Sequence, residues 1–273
     1  MKYSKYWYGL FVLLIVIGFT QCKEPIDSGY SFFVAGHTYG KPSVNNKGFH
    51  PPFKAKFDVI NNDANIDFGV LTGDVVIYGT PQCWDDVDAD IALLNMPVYF
   101  AVGNHDMKNR SLFESRYGDT YQSFIHKDDL FIILDPNLDH WNISGKQLEF
   151  LKASLENIHE KVANIYVFFH QVLWWKQDIE NEAFILNSLQ DRADTINFYD
   201  EVEPLFRDLS NPVFMFAGDV GAAMKSNGYY YRKDTNITYV ASGMGGRINP
   251  TFVIVDVDAN KEVSLRVIPL DDK

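Results

Sequence analysis

Seven polar residues of this 273-residue chain closely follow short apolar runs, in positions where their side chains could bind a metal ion. The runs are rich in Val, Ile and Phe, as buried central strands are. They span residues 30–35, 68–72, 97–102, 164–168 and 213–217. The polar residues that follow them are His37, Asp74, Asn104, His105, Asp106, His170 and Asp219.

These side chains are expected to meet at one edge of the fold. Ligands of open α/β sheets bind in the crevice outside the carboxyl ends of the strands, and glycine in four of the five turns lets the backbone turn sharply there. Imidazole, carboxylate and amide groups together suit Mn, Fe or Zn. The chain has only two cysteines, which rules out a cysteine-rich zinc site. The pattern therefore predicts a metal centre with nitrogen and oxygen ligands.

Each member of this set, taken alone, has a simpler interpretation. A Gly-Asp pair after a strand is commonly a turn or a helix cap, and a lone histidine is commonly a hydrogen-bonded structural group. The sequence Gly103-Asn104-His105-Asp106 is the most specific piece, because three polar residues after a buried strand make a poor core and an unusual turn. The histidines that we interpret as structural are His50, His126, His140 and His159.

The elements that must position these residues alternate between strand-like and helix-like segments, which predicts one layered α/β domain over residues 30–273. Apolar residues at helical spacing predict a helix over residues 145–162, begun by a capping box of Ser144 and Gln147. A second helix is predicted over residues 199–208. The remaining predicted segments are a strand at 130–134, a largely antiparallel group of strands over residues 228–267 and a polar insertion at about 176–198.

In order and spacing, the motifs resemble those of the calcineurin-like metallophosphoesterases. That family's pattern runs Asp-x-His, then Gly-Asp, then Gly-Asn-His-Asp or Gly-Asn-His-Glu, then a lone His, then Gly-His-x-His. Gly73-Asp74 and Gly103-Asn104-His105-Asp106 match in full, and His37 and His170 match the histidine of the first motif and the lone histidine. The likeness extends over residues 31–267. It implies an α/β fold, a four-layer αββα sandwich of two mixed sheets flanked by helices.

Two motifs depart from the family pattern. Ala35 stands in place of the first motif's aspartate, and the last motif reads Gly218-Asp219-Val220-Gly221, without histidine. The resemblance implies that one metal site is nearly intact, whereas the other retains only His37 and Asp74. We therefore expect one tightly bound divalent ion (Mn, Fe or Zn), with a second ion weak or absent. The nearly intact site would use Asp74, Asn104, His170 and Asp219.

The same resemblance implies hydrolysis of a phosphomonoester or phosphodiester by metal-activated water. His105 would donate a proton or a hydrogen bond to the leaving-group oxygen, and Asp106 would orient His105. Trp174 and Trp175 could line the substrate pocket or pack under the polar insertion. A competing hypothesis is a non-catalytic envelope protein that binds a phosphorylated or sugar ligand, which the changes at Ala35 and Gly221 favour. A third hypothesis is a purely structural surface lipoprotein.

The first residues predict export. A basic start precedes an uncharged apolar run at 7–19, which is shorter than a comfortable membrane span and is soon followed by Cys22. This order resembles a bacterial lipoprotein signal, in which residues 1–21 are removed, Cys22 is lipidated and residues 22–29 form a tether. Gln21 departs from that pattern, because the residue before the cysteine is normally small. An ordinary cleaved signal and an uncleaved anchor are the alternatives.

Charge and export together limit the partners. A formal net charge of -12 argues against a nucleic-acid partner, since nucleic-acid binders usually carry a basic patch or stripe. We expect a phosphorylated small molecule or an envelope glycan as the ligand. The lipid anchor would hold the protein on a membrane of a bacterial cell envelope, facing the periplasm or the cell surface.

Overall fold

Two sheets with parallel and antiparallel strand pairs form the middle of the fold in the computed structural model, which describes residues 29–42, 44, 46–156, 160–176 and 185–270. The first sheet has the strand order β11-β10-β1-β2-β3, and the second has the order β4-β5-β6-β7-β9-β8. The strands are β1 (Tyr30–Ala35), β2 (Ile66–Leu71), β3 (Val98–Phe100), β4 (Gln122–His126), β5 (Asp129–Ile133), β6 (Ile165–Phe168), β7 (Val213–Ala217), β8 (Tyr229–Asp234), β9 (Ile237–Ser242), β10 (Thr251–Val257) and β11 (Val263–Pro269).

Helices cover the outer faces of both sheets. The α-helices are α1 (Pro51–Lys54), α2 (Phe57–Asn61), α3 (Pro81–Ile91), α4 (Arg110–Tyr117), α5 (Gly145–Leu155) and α6 (Pro204–Arg207). Three buried apolar clusters separate four layers: one lies between the sheets, one between the first sheet and α1 to α4, and one between the second sheet and α5 and α6. The expected four-layer αββα sandwich is confirmed.

Strand β1 shows how the sequence builds these layers. Successive side chains of a strand point to opposite faces, so Phe32 and Val34 pack between the sheets while Phe33 and Ala35 pack toward the helices. Every residue of β1 is buried. Burying a large apolar side chain stabilises the fold by about 1.5–3 kcal/mol, so these contacts fix the position of β1 within its sheet.

Two predicted helices are shorter than expected. Helix α5 ends at Leu155, before the predicted end at residue 162. The predicted helix over 199–208 is two pieces, a π turn over Phe198–Val202 and α6, because Pro204 has no N–H to donate to a preceding turn. Among the described residues, no helix is long and apolar enough to cross a membrane.

The predicted capping box at α5 is wrong. The side chain of Ser144 donates to Asp139 at 2.5 Å instead of accepting from the first turn of the helix. Gln147 is buried, and its side chain bonds both the N–H and the carbonyl of Asp135. Gln147 therefore ties α5 to the loop after β5. The predicted signal at 1–21, Cys22 and most of the tether lie outside the described residues.

Candidate metal centre

Parallel pairing in register brings the candidate ligands together twice, once in each sheet. In the first sheet Ala35 pairs with Leu71, and His37 and Asp74 follow two and three residues later. In the second sheet Phe168 pairs with Phe216, with His170 two residues later and Asp219 three residues later. Each sheet therefore contributes one histidine and one aspartate at the carboxyl ends of adjacent strands.

Glycines let these strand ends approach each other closely. A Cβ atom on Gly218 would lie 1.9 Å from the carbonyl oxygen of Thr72, so no side chain fits where the loops of the two sheets meet. A Cβ atom on Gly103 would lie 2.3 Å from Oδ1 of Asp74 and 3.0 Å from the ring of His170. Backbone therefore packs directly against the candidate ligands, which holds their side chains in one small volume.

Asp74 lies at the centre of the group. Its backbone takes the left-handed conformation, with φ 53°, and its side chain is buried. Oδ2 is 3.5 Å from Nε2 of His37, and Oδ1 is 3.4 Å from Nε2 of His170. The backbone N–H of His105 donates to Oδ1 at 3.0 Å. Burial alone would raise the pKa of Asp74, but the neighbouring histidines, His170 above all, outweigh it and hold the pKa below its usual range.

His170 presents one ring nitrogen to the centre. Its Nδ1 is 2.8 Å from the carbonyl oxygen of Thr72, which assigns the Nδ1 proton to that bond. Nε2 is buried without a hydrogen-bond partner among the described residues and lies 3.9 Å from Oδ1 of Asp219. Burial lowers the pKa of His170, but the charges of Asp74 and Asp219 outweigh it and raise the pKa to about 10.

Asp219 is a buried carboxylate with few hydrogen-bond donors around it. Among the described residues, neither of its oxygens has a partner with good hydrogen-bond geometry, although the Asn187 side chain and the Ser188 N–H lie close enough to oppose the rise of its pKa. Burial raises its pKa to about 7, while the charge of His170 opposes the rise. The backbone N–H of Asn187 donates to the Asp219 carbonyl at 3.1 Å, and the Asn187 side chain accepts from the N–H groups of Ala222 and Ala223. Asn187 therefore fixes the loop that presents Asp219.

The donor types suit one divalent ion, and one pair of donor atoms already has a suitable spacing. In the described part of the chain, no group of three or more His, Cys, Asp or Glu side chains lies close enough together to hold a metal ion. However, ligand atoms bonded at about 2.1 Å to one tetrahedral ion are about 3.4 Å apart, which matches the separation of His170 Nε2 and Asp74 Oδ1. With Asp219, whose Oδ1 is 3.9 Å from His170 Nε2, these residues offer one imidazole and two carboxylates, donor types that suit Mn, Fe or Zn.

Asn104, the remaining predicted ligand of this site, is half-buried beside the group. It follows Gly103, which packs against Asp74, and it lines a cleft of about 330 Å³. Its other lining residues include Lys108, Arg110, Asn137, His140 and Gln190.

The second metal site of the family pattern is incomplete in the folded chain, because Ala35 and Gly221 stand where the family has ligands. Ala35 is fully buried in the apolar layer beneath the first sheet. A Cβ atom on Gly221 would lie 2.6 Å from the carbonyl oxygen of Gly243, so a histidine cannot replace Gly221 without moving the backbone. His37 is buried, which lowers its pKa to about 4. Its ring packs against Tyr39, with the centroids 4.3 Å apart.

His105 is half-buried next to Asp74, and its ring lies beside a carbonyl oxygen and an ammonium. Its Nδ1 is 2.8 Å from the carbonyl oxygen of Ile77 and 3.0 Å from Nζ of Lys108. The ring of Tyr39 packs on its other side, with the centroids 5.0 Å apart. When Nδ1 accepts from the Lys108 ammonium, the ring proton lies on Nε2, which is the nitrogen left to act on a ligand.

The predicted role of Asp106 in orienting His105 is wrong. Its carboxylate is fully buried and accepts three backbone hydrogen bonds, from the N–H groups of Val75, Val76 and Gly103. Oδ1 accepts from the loop after β2 and Oδ2 accepts from the loop after β3, so Asp106 ties these two loops together. Burial and the charge of Asp74 raise its pKa to about 7, against the effect of the backbone donors.

Trp174 does not line the substrate pocket. It is 1% exposed and packs in the apolar layer over the second sheet, with ring centroids 5.7 Å from Phe169 and 5.2 Å from Tyr239. Trp175 is partly buried against the same layer. The expectation of a pocket role is wrong for Trp174, and the alternative of packing is correct for it.

Three residues of the site have no place in the sequence motifs. Tyr39 follows His37 by two residues, so its nearness to a motif was a usable signal. Lys108 likewise follows Gly103-Asn104-His105-Asp106 closely. Asn187 lies in the polar insertion, where nothing in the sequence connects it to Asp219.

Several known proteins are similar to this chain. The family model for calcineurin-like phosphoesterases matches residues 37–243. Among solved structures, the chain is similar to the purple acid phosphatase PPD1 from yellow lupin (Lupinus luteus) seeds, with a TM-score of 0.66, 16% identity and 90% of this chain covered. It spans about half the length, 52%, of that phosphatase. Vps29 from Chaetomium thermophilum aligns at a TM-score of 0.38 and 11% identity, over 87% of this chain and 94% of that one. No curated protein sequence matches the chain.

Proposed function

Because the chain belongs to the calcineurin-like phosphoesterase family, we propose that it is a metal-dependent phosphoesterase that hydrolyses a phosphomonoester or phosphodiester. The observation that carries the proposal is the group of buried, unsatisfied ligand atoms on His170 and Asp219 beside Asp74. Buried polar atoms without partners are costly, and a bound divalent ion would satisfy all of them. Asp74, Asn104, His170 and Asp219 would hold that ion.

The chain's own residues divide the remaining work. A bound divalent ion lowers the pKa of water and neutralises charge on phosphoryl oxygens. His170 is fixed by Thr72 so that Nε2 is its ligand atom. His105, whose Nδ1 can accept from the Lys108 ammonium, would carry its ring proton on Nε2 and donate it to the leaving-group oxygen. Asp106 keeps the loops that carry Asp74 and His105 in place.

The second candidate function is binding of a phosphorylated or sugar ligand without catalysis. The changes at Ala35 and Gly221 favour it, because they remove ligands that a two-metal centre needs. The buried Asp219 opposes it, since a turn that only needed a cap would not leave a carboxylate unpaired in the interior.

We also propose that the protein is an exported lipoprotein, held on a membrane of a bacterial cell envelope by Cys22. Its ligand would then be a phosphorylated small molecule or an envelope glycan reached from the periplasm or the cell surface. The order of a basic start, an apolar run and Cys22 supports this. Cys22→Ala should release the protein from membranes, and an unmodified Cys22 in the intact mass from the native host would contradict the lipid anchor.

The function is tested by hydrolysis of p-nitrophenyl phosphate and bis(p-nitrophenyl) phosphate with Mn, Fe and Zn in turn. The matched control is Asp74→Asn, because asparagine tolerates the left-handed backbone that this position requires. We expect the wild type to hydrolyse at least one ester and the variant to lose that activity. Metal-loaded wild type that hydrolyses neither ester, yet binds a phosphorylated ligand, would favour the non-catalytic function.

A further inference from the structure

Lys108 is a cation beside the candidate centre whose polar neighbours are neutral. Its Nζ lies 3.2 Å from the carbonyl oxygen of Ile77 and 3.0 Å from Nδ1 of His105. The ammonium also lies 5.6 Å from the centroid of the Tyr78 ring. An ammonium has three N–H donors, so these two polar neighbours leave at least one donor for a ligand.

Arg110, the other cation that lines the same cleft, differs in its partners. Its Nη1 is 2.8 Å from the buried carboxylate of Asp135 and 3.5 Å from Glu114. No carboxylate of the described residues lies within ion-pair distance of Lys108. The chain has 36 acidic and 24 basic residues, so carboxylates outnumber cations. A lysine beside the candidate metal centre that pairs with none of them is therefore available to bind an anionic ligand.

The position of Lys108 relates it to a ligand of the centre. Lys108 and Asn104 line the same cleft of about 330 Å³. A phosphate that contacts an ion held beside Asn104, and that receives a proton from His105, must lie within a few ångströms of the His105 ring. Because Lys108 lines the cleft that Asn104 also lines, the donor that Ile77 and His105 leave unused can point to a phosphate bound there.

We propose that Lys108 is a substrate-binding residue that donates a charge-assisted hydrogen bond to a phosphoryl oxygen in the cleft beside His105. It thereby supplies part of the positive charge that a second ion would supply in a centre with both metal sites intact. The inference rests on the proposed function for the identity of the substrate group, an anionic phosphoryl oxygen. It requires only phosphate binding, and not turnover.

Calorimetric titration with inorganic phosphate, in the presence and absence of Mn²⁺, tests the proposal on the full mature chain. Lys108→Met removes the charge and keeps most of the side-chain volume, and Lys108→Arg keeps the charge. Lys152→Met is the matched control, because Lys152 is an exposed lysine on α5. We expect Lys108→Met to weaken phosphate binding at least about tenfold, Lys108→Arg to retain most of the affinity, and Lys152→Met to match the wild type. Metal content should be the same in all four proteins.

Two results would overturn the proposal: a phosphate affinity of Lys108→Met equal to that of the wild type, and a wild type that binds no phosphate. The outcome is separable from that of the proposed function. Phosphate binding that depends on Lys108 in a protein without hydrolytic activity would support the role of Lys108 and contradict the enzyme. If the wild type hydrolyses an ester and Lys108→Met leaves its phosphate affinity unchanged, the enzyme is supported and the role of Lys108 is contradicted.

Discussion

The backbone N–H of His105 donates a hydrogen bond to Oδ1 of Asp74 at 3.0 Å, so the candidate acid and the central carboxylate are joined through main chain and not through the imidazole. The ring of His105 instead contacts Ile77 and Lys108. The side chain can therefore be removed without losing the contact that holds Asp74. This separation of roles makes the two residues distinguishable by mutation.

We predict that His105→Ala loses most of the hydrolytic activity and keeps its metal. Loss of a general acid typically costs about 10²–10⁴-fold in rate, whereas the main-chain bond to Asp74 stays. Activity and metal content of the purified variant are to be measured together, with Asp74→Ala as the control that should lose metal. Metal content as low in His105→Ala as in Asp74→Ala would show that His105 is a ligand and not the acid.

We predict that Asp106→Ala destabilises the fold. The variant would leave the N–H groups of Val75, Val76 and Gly103 buried without their acceptor, and one unsatisfied buried group costs about 1–3 kcal/mol. Urea denaturation should show a loss of at least about 2 kcal/mol in the free energy of unfolding. Asp119→Ala, at an exposed carboxylate, is the control and should change stability little. Wild-type stability combined with lost activity would restore the orienting role of Asp106.

We predict that Trp174→Phe lowers stability and leaves substrate binding unchanged, because Trp174 is buried in the apolar layer over the second sheet. Its free energy of unfolding should fall, since a large-to-small change in a core leaves a cavity. KM for the best chromogenic ester should match that of the wild type. A raised KM with unchanged stability would return Trp174 to the pocket.

The motif residues were predictable from sequence because their spacing follows strand ends, and parallel register then determines which side chains meet. His37 with Asp74, and His170 with Asp219, are brought together in this way. The family to which the chain belongs was identifiable from the same motifs. The direction in which a side chain points was not predictable, and Asp106 is the clearest case. Its place after His105 suggested a partner for the ring, but its carboxylate turns toward three backbone amides.

Helix ends and long-range contacts were also beyond the sequence patterns. Ser144 and Gln147 have the spacing of a capping box, but Asp139 and Asp135 are better partners in the folded chain. Strand β4 was missed because its residues alternate between partly buried and exposed. Asn187 supports Asp219 from 32 positions away, and only the folded structure reveals that contact.

We predict that metal affinity falls as the pH drops below about 7. Burial raises the pKa of Asp219 to about 7, and only its ionised form binds a metal ion. Below that pH the ion must displace a proton from Asp219, in addition to the one that Asp74 and Asp219 retain on His170. Each displaced proton lowers the apparent affinity by about tenfold per pH unit.

Metal titrations at pH 6, 7 and 8 check this dependence, with Asp219→Asn as the control. The metal affinity of the wild type should fall more steeply with decreasing pH below pH 7 than above it. The metal affinity of Asp219→Asn should change with the same slope on both sides of pH 7. Parallel curves for the two proteins would mean that Asp219 does not titrate as a ligand.

The most direct test of the single-ion centre is the number of ions that stay bound to the purified protein. The ligand set of Asp74, Asn104, His170 and Asp219 predicts one tightly held ion per wild-type chain, and none in Asp219→Ala. Asp219→His should keep the ion, because imidazole is the ligand that the family pattern has at this position. Elemental analysis after gel filtration measures all three proteins. Two tightly held ions in the wild type, or an unchanged metal content in Asp219→Ala, would contradict the single-ion centre built on Asp219.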